Sequence, residues 1–247
     1  ILIYTLMFVL SLLFFLVATL PANFVWEQLF KQEVKNNIAG LNVESIDGSV
    51  WQGEALIAYR GISAVYGWDV SFAGLLTMSL PVSLTLRSQA GSVNVEADFG
   101  LSETVLAVEN TELDLSYLTP LVKRWRVSLD GDLVVNSLIL VVEDMKLVSL
   151  AGGGSWSGGD ISYPVARQSH NRNMPVFNAV ATTNDEGLAQ IGIRDANAGF
   201  DVIYLSLDAN GEAMAKVTRR LLDIADEDWP KNSQETDTVF KVKKVIY

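Results

Sequence analysis

The chain has 247 residues, a formal net charge of −11 at pH 7 and no cysteine. Without thiols it cannot form a disulfide framework, a thiolate nucleophile or a cysteine-ligated metal site. The acidic balance disfavours nucleic acid and anionic lipid surfaces as electrostatic partners. Hydrophobic residues make up 49% of the chain, and its length is enough for one large β domain or two small ones.

The first 20 residues form an apolar run without a single charge. A helix of 20 residues is about 30 Å long, which matches the hydrocarbon core of a bilayer. A cleaved signal peptide would have an apolar region of only about 7–15 residues before a small-x-small site, and Leu20-Pro21-Ala22 is a poor site. We therefore expect an uncleaved transmembrane helix over residues 1–20, with the rest of the chain outside the cytoplasm.

A second helical segment is predicted directly after the apolar run, within residues 21–40. Trp26, Phe30, Val34 and Ile38 recur every four residues, a spacing that places them on one face of a helix. Gly40 is a suitable residue to end it. We expect this juxtamembrane helix to lie along the membrane surface or to pack under the following domain.

From residue 41 onward the hydrophobic pattern changes to a period of two. Val93, Val95 and Ala97, for example, alternate with polar residues, as in antiparallel strands with one wet face. Three dipeptides have the composition of tight hairpin turns: Asp47-Gly48, Asp130-Gly131 and Asn210-Gly211. The sequence therefore predicts a mainly β protein with an antiparallel sheet, either curved or built from two units, and few short helices.

Three segments interrupt the β pattern. Residues 118–126 are predicted to form a short turn or helix. Residues 212–225 have an apolar face with helical spacing, and this helix competes with the hairpin predicted at Asn210-Gly211. The tail, residues 231–247, is either mobile or adds a strand with its last residues.

A Trp-x-Gly pattern occurs twice and suggests two related β units, which we place at residues 41–150 and 151–230. Glycines beside a tryptophan permit a tight crossing or bulge in which the indole covers nearby backbone. The residues that we assign to this motif are Gly48, Trp51, Gly53, Gly154, Trp156, Gly158, Gly159, Tyr163 and Pro164.

The chain resembles a known family, the type II secretion system protein N, also called general secretion pathway protein N. The resemblance rests on the N-terminal apolar segment that closes on Leu20-Pro21-Ala22 and Trp26, on GSVWQGEA at 48–55 and on GGSWSGGDISYP at 153–164. It implies an accessory subunit of the type II secretion machine, held in the inner membrane with its C-terminal domain in the periplasm. Its implied partners are the other inner-membrane and periplasmic components, and the lipid bilayer through the N-terminal span.

No catalytic constellation, cofactor site or metal site is predicted, and the resembling family is not known as an enzyme. His170 is the one histidine of the chain, and we expect it to be a solvated loop residue. The acidic residues Asp223, Asp226, Glu227 and Asp228 do not match a Ca²⁺-binding loop, so we expect a solvated helix end.

Two functions from different classes follow from these patterns. The first is an interaction subunit of the secretion machine, which would receive partner segments at exposed strand edges. The second is a periplasm-facing lipid-binding or lipid-transfer bridge protein, in which a curved sheet presents an apolar groove. A third class, an envelope hydrolase, is disfavoured because the required combinations of polar residues are missing.

Overall fold

A computed structural model describes residues 2–72, 74, 78–165, 168–229 and 232–246. Within these residues the chain forms sixteen strands. In chain order they are β1 (Leu41–Gly48), β2 (Gln52–Tyr59), β3 (Ile62–Val70), β4 (Leu80–Ser88), β5 (Gly91–Phe99), β6 (Glu103–Asp114), β7 (Ser128–Leu129), β8 (Asp132–Glu143), β9 (Lys146–Trp156), β10 (Gly159–Val165), β11 (Gln168–Met174), β12 (Phe177–Thr183), β13 (Ala189–Asp195), β14 (Ile203–Leu207), β15 (Glu212–Thr218) and β16 (Thr238–Val245).

Helices lie mainly at the N-terminus. The described helices are α1 (Leu2–Ala18), α2 (Ala22–Val25), α3 (Lys31–Asn37), α4 (Thr119–Val122) and α5 (Arg219–Ile224). A π-helical turn, Trp26–Phe30, joins α2 to α3, so the predicted helix within residues 21–40 is confirmed. The short helix predicted at 118–126 is confirmed as α4 with a 3₁₀ turn on either side.

The predicted transmembrane helix over residues 1–20 corresponds to α1, which has 17 residues; Ile1 lies outside the described residues. Across the part of the chain that the structure describes, no helix is long and apolar enough to cross a membrane. The span therefore stays a prediction.

Thirteen strands form one sheet in the order β1-β2-β3-β4-β5-β6-β8-β9-β12-β13-β14-β15-β16. Every neighbouring pair in it is antiparallel, which confirms the mainly β, antiparallel fold predicted from the period of two. A second, three-stranded sheet has the order β11-β10-β7. The chain leaves the main sheet after β9, forms the hairpin β10–β11, and returns as β12 beside β9.

Of the three predicted hairpin turns, one is confirmed. Asn210-Gly211 lies between β14 and β15, which pair directly. Asp47-Gly48 instead ends β1, where Gly48 pairs with Gly53, so the turn falls at residues 49–51. Asp130-Gly131 joins β7 of the small sheet to β8 of the main sheet, and these two strands do not pair. Dipeptides of this kind permit tight turns, but the pairing of the strands decides which turns become hairpins.

The helix predicted over residues 212–225 is wrong in its first half. Glu212–Thr218 is strand β15, and helix α5 begins only at Arg219. Backbone pairing with β14 on one side and β16 on the other outweighs the weak helical spacing, because tertiary context overrides local propensity. Strand β16 also resolves the open alternatives for the tail: residues 238–245 add a strand.

Little of the protein is deeply buried. Val202 is the largest fully buried side chain of the described residues, with 0% exposure. The accessible surface is 16026 Å², against roughly 10,800 Å² for a globular monomer of this size. The excess comes from an exposed α1 and from a broad sheet with only partial cover on its apolar face.

The predicted boundary between two β units, at residues 150 and 151, falls within strand β9. Strand β9 pairs with β8 on one side and β12 on the other, so the main sheet is continuous across this point. The division into units 41–150 and 151–230 stays a prediction.

Candidate functional site

One face of the main sheet is apolar across its width. Ala97, Leu106, Leu140 and Leu150 are paired side by side on four neighbouring strands. Because side chains alternate between the two faces of a strand, directly paired residues lie on the same face. Rows of this kind give the sheet a continuous hydrophobic side that needs cover from other elements.

The small sheet and α5 cover this face over β8 to β14. Between the two layers lies a cavity of about 430 Å³. Its wall combines residues of the main sheet, such as Trp156 and Ile193, with Ile161 and Met174 of the small sheet and Leu221 of α5. The described part of the chain therefore borders a half-open apolar space that its own side chains do not fill.

The N-terminal helical segment lies over the apolar face of β1 to β3. The residues of this segment that face the sheet are those with four-residue spacing, as predicted: Trp26, Phe30, Val34 and Ile38. The space between helix and sheet is about 540 Å³. A neighbouring recess of about 440 Å³, lined by Leu121 from α4, shares Ile38 with it. Together the cavity and these two recesses form what we call the apolar trough.

The first Trp-Gly motif attaches α1 to the sheet. The indole nitrogen of Trp51 donates a hydrogen bond to the carbonyl of Val17, near the end of α1, at 2.8 Å. Its ring contacts Phe72 with centroids 3.9 Å apart. Gly48 has a φ of +102°, and a side chain there would collide with the carbonyl of Gln52. The motif therefore combines a left-handed turn residue with a polar anchor for the incoming helix.

The second glycine of this motif, Gly53, lies beneath a different tryptophan, Trp68. A Cβ at Gly53 would collide with the indole of Trp68. The nitrogen of Trp68 donates to the carbonyl of Ser49 at 3.1 Å. The indole thus covers the backbone of the β1–β2 turn, and only glycine leaves room for it.

The second motif fixes the crossing between the two sheets. Trp156 donates its indole hydrogen bond to the carbonyl of Asp130 at 2.8 Å, and its ring is stacked on Phe177 with centroids 5.8 Å apart. Gly158 and Gly159 both have positive φ angles where the chain turns from β9 into β10. At Gly154 a side chain would collide with the carbonyl of Val134 on the neighbouring strand.

Both motif tryptophans have the same role in the described structure. Each donates to a backbone carbonyl of a segment that enters the main sheet, Val17 for Trp51 and Asp130 for Trp156. Tyr163 and Pro164 lie in β10, opposite His170 and Ser169 of β11. That these nine residues form one family motif stays a prediction.

A polar cluster joins the small sheet to the segment after α5. The carboxylate oxygen Oε1 of Glu227 accepts from the hydroxyl of Tyr163 at 2.7 Å and lies 2.6 Å from Nδ1 of His170. Arg172 donates to the backbone carbonyls of Ala225 and Asp226. The cluster is adjacent to the cavity wall, because Ala225 packs in the same hydrophobic group as Met174, which lines the cavity.

This cluster corrects two sequence predictions. His170 is not a solvated loop residue: it lies in β11 with a quarter of its side chain exposed. The predicted solvated helix end is wrong for Glu227, which is the acceptor at the centre of the cluster. No clear signal for this strand is present in the sequence, because residues 169–173 are all polar and lack the apolar–polar alternation of a half-buried strand.

The electrostatics of the cluster favour a neutral phenol beside an ionised carboxylate. Burial, together with the hydrogen bond to Glu227, raises the pKa of Tyr163 to about 12. The hydrogen bonds from Tyr163 and His170 lower the pKa of the Glu227 carboxyl. These two groups therefore hold the small sheet against residue 227 across the whole neutral range.

A second polar contact holds α5 on the sheet. Arg220 donates to Asp195 at 2.9 Å, and the side chain of Asp195 has no exposed surface. Burial alone would raise the pKa of Asp195, but the Arg220 guanidinium and nearby backbone amides hold it below its usual value. This ion pair positions Leu221 at the wall of the cavity.

Within the residues described, no group of three or more His, Asp and Glu side chains is placed to hold a metal ion. Asp223 is bound to Arg219 at 2.9 Å. What the arrangement offers is an apolar trough, two open strand edges and polar contacts that hold its covers.

A model of the family described as type II secretion system (T2SS), protein N, matches residues 39–226. The match begins just after α3, runs through β1 to β15 and α5, and includes both Trp-Gly motifs. The chain belongs to this family. It is therefore a component of the type II secretion machinery, in a family not known for an enzyme activity, and the resemblance seen in the sequence is confirmed. No curated protein and no solved structure matches it.

Because Tyr163 is hydrogen-bonded in the polar cluster, its ionisation at alkaline pH should lower the free energy of unfolding. Because its pKa in the folded state is about 12, against about 10 in an unfolded chain, the stabilisation is fully present below pH 10 and is lost as the pH rises toward 12. Tyr163→Phe removes this contribution. We expect the difference in free energy of unfolding between wild type and Tyr163→Phe to shrink from pH 9 to pH 12. Urea denaturation followed by tryptophan fluorescence measures it.

The matched control is Tyr117→Phe, which removes a phenol from a half-exposed position. Its difference from the wild type should not follow the same curve. A constant difference between wild type and Tyr163→Phe up to pH 12 would contradict the hydrogen-bonded phenol.

Proposed function

We propose that this protein is an inner-membrane accessory subunit of the type II secretion machine, which acts by protein–protein interaction in the periplasm. The observation that carries the proposal is the family membership over residues 39–226, combined with a β domain that is tied to an exposed apolar helix. Its partners would be the inner-membrane and periplasmic components of the same machine.

The surface of α1 supports the membrane location. The helix contains no charged residue, and its large apolar side chains are exposed from Ile3 to Val17. Seventeen helical residues are about 25 Å long, close to the about 30 Å of a bilayer core, and the adjoining apolar residues of the 1–20 run would complete the span. Exposed apolar surface of this extent is stable in lipid rather than in water.

The contact between Trp51 and α1 supports a role in positioning. If α1 is anchored, the hydrogen bond from Trp51 to Val17 holds the first strands at the membrane surface. We propose that the sheet comprises two units, 41–150 and 151–230, and that the nine motif residues fix the segments entering each unit. Open edges of the sheet would then receive partner segments by strand addition.

Cross-linking in intact inner membranes tests the proposed function. In cells that contain the secretion machine, the wild-type chain should be cross-linked to other secretion components, identified by mass spectrometry. The matched variant is Leu10→Arg/Leu13→Arg, which places two charges in α1 at a cost of about 3 kcal/mol each for insertion. We expect it to lose both carbonate-resistant membrane retention and the cross-links.

A wild-type chain that is held in the membrane but yields no secretion component would contradict the interaction role. Membrane retention unchanged by the two arginines would contradict the assignment of α1 as the anchor. The two outcomes are separable, because retention and cross-linking are measured on the same membranes.

A second function, lipid binding, is favoured by one specific observation. The cavity under the small sheet is apolar, about 430 Å³ in volume, and continuous with the apolar face of the sheet. We propose that an acyl chain could occupy it, as in a lipid-binding or lipid-transfer protein with a curved β groove. The similarity in architecture is an analogy at the level of the fold.

Native mass spectrometry of the purified chain tests lipid binding with a closely matched pair of variants. Ala179 lines the cavity, whereas Val180, the next residue of β12, is half exposed on the opposite face. Ala179→Phe should reduce the bound lipid because it fills the cavity, and Val180→Phe should leave it unchanged. Absence of bound lipid in the wild type would exclude this second function.

A further inference from the structure

The main sheet ends in two open strands. Strand β1 forms one edge and β16 the other, and each is eight residues long. Most side chains of both strands are exposed, including Val242 and Val245 of β16. An edge strand carries a row of backbone donors and acceptors without ladder partners, which is a template for pairing with another strand.

The two edges carry opposite charges. Strand β1 contains Glu44 and Asp47, and β16 contains Lys241, Lys243 and Lys244. Lys243 contacts Glu212 of the neighbouring strand. The other four side chains have no hydrogen bond or ion pair within the described residues. A lysine-rich edge is unusual in a chain with a net charge of −11, and its complement lies on the opposite edge of the same sheet.

The directions of the strands permit these edges to join. The main sheet has thirteen strands, all with antiparallel neighbours, so the first and the last run in the same direction. A second copy in the same orientation would present its β1 to β16, parallel to it. The apolar faces of both copies would then lie on the same side, and the trough would continue from one copy to the next.

We propose that β16 of one copy pairs with β1 of a second copy of this chain. The contact is heterologous, so it joins copies head to tail and does not close into a dimer. Pairing of β16 with itself would place lysines against lysines, and pairing of β1 with itself would oppose carboxylates, both of which are unfavourable. The lysines thus disfavour pairing of β16 with another β16 and favour its pairing with the acidic β1.

The absence of cysteine from the chain allows a direct test with the full-length protein in detergent. Ser45→Cys labels β1 and Val245→Cys labels β16, both at exposed positions. A short bis-maleimide should cross-link two chains when the single-cysteine proteins are mixed, and not when either is treated alone. Equal cross-linking of either protein alone, or none in the mixture, would overturn the proposal. This test does not depend on the proposed secretory role.

Charge reversal tests the complementarity of the edges. Lys241→Glu/Lys244→Glu in the Val245→Cys protein should lower the yield of cross-linked dimer about tenfold. Glu44→Lys/Asp47→Lys in the Ser45→Cys partner should restore it. Lys123→Glu/Lys146→Glu makes the same change of charge at exposed positions away from both edges, and should leave the yield unchanged.

A third measurement separates self-association from binding to a membrane surface. Suppose that Lys241→Glu/Lys244→Glu abolishes binding to phosphatidylglycerol vesicles and leaves the cross-linking of the mixture unchanged. The basic edge would then belong to a lipid surface, and the proposal would be overturned. Loss of cross-linking in this variant, with rescue by the reversed β1, supports pairing between copies.

Discussion

The structure depends on one constraint: a single sheet of thirteen strands has one broad apolar face. A sheet of this width needs a second layer to remove that face from water. The chain supplies only a three-stranded sheet and short helical segments, so the cover is incomplete. Three features follow from this mismatch between the sheet and its cover: the apolar trough, the small number of fully buried side chains and the large accessible surface.

A partial cover must be held in place by specific contacts, because few apolar contacts surround it. Polar contacts supply this: the indoles of Trp51 and Trp156 bind backbone carbonyls of incoming segments, and the Asp195–Arg220 pair holds α5. The carboxylate of Glu227 joins the small sheet to the residues after α5. These contacts hold the covering segments in place and leave apolar surface and two edge strands exposed.

The sequence predicts the strand-rich fold and the helix within residues 21–40 well, because both depend on local periodicity. It predicts the second layer poorly, because β7 has only two residues and β10 leaves the main sheet without a change in pattern. In the cluster around Glu227, the partners Tyr163 and His170 precede it by 64 and 57 positions in the sequence. No spacing rule detects contacts between residues so far apart. The apolar residues of segment 212–218 have a spacing that fits a helix as well as a strand, so the sequence pattern does not identify this strand.

The central claim is that the thirteen strands of the main sheet pair continuously from β1 to β16, across the proposed boundary between the two units. Hydrogen exchange of the full chain, followed by mass spectrometry, tests it most directly at β8 and β9, where the ladders β6–β8, β8–β9 and β9–β12 meet. The account predicts slow exchange through residues 133–156, as slow as in the strands on either side. Fast exchange along β8 and β9 between two protected regions would contradict it.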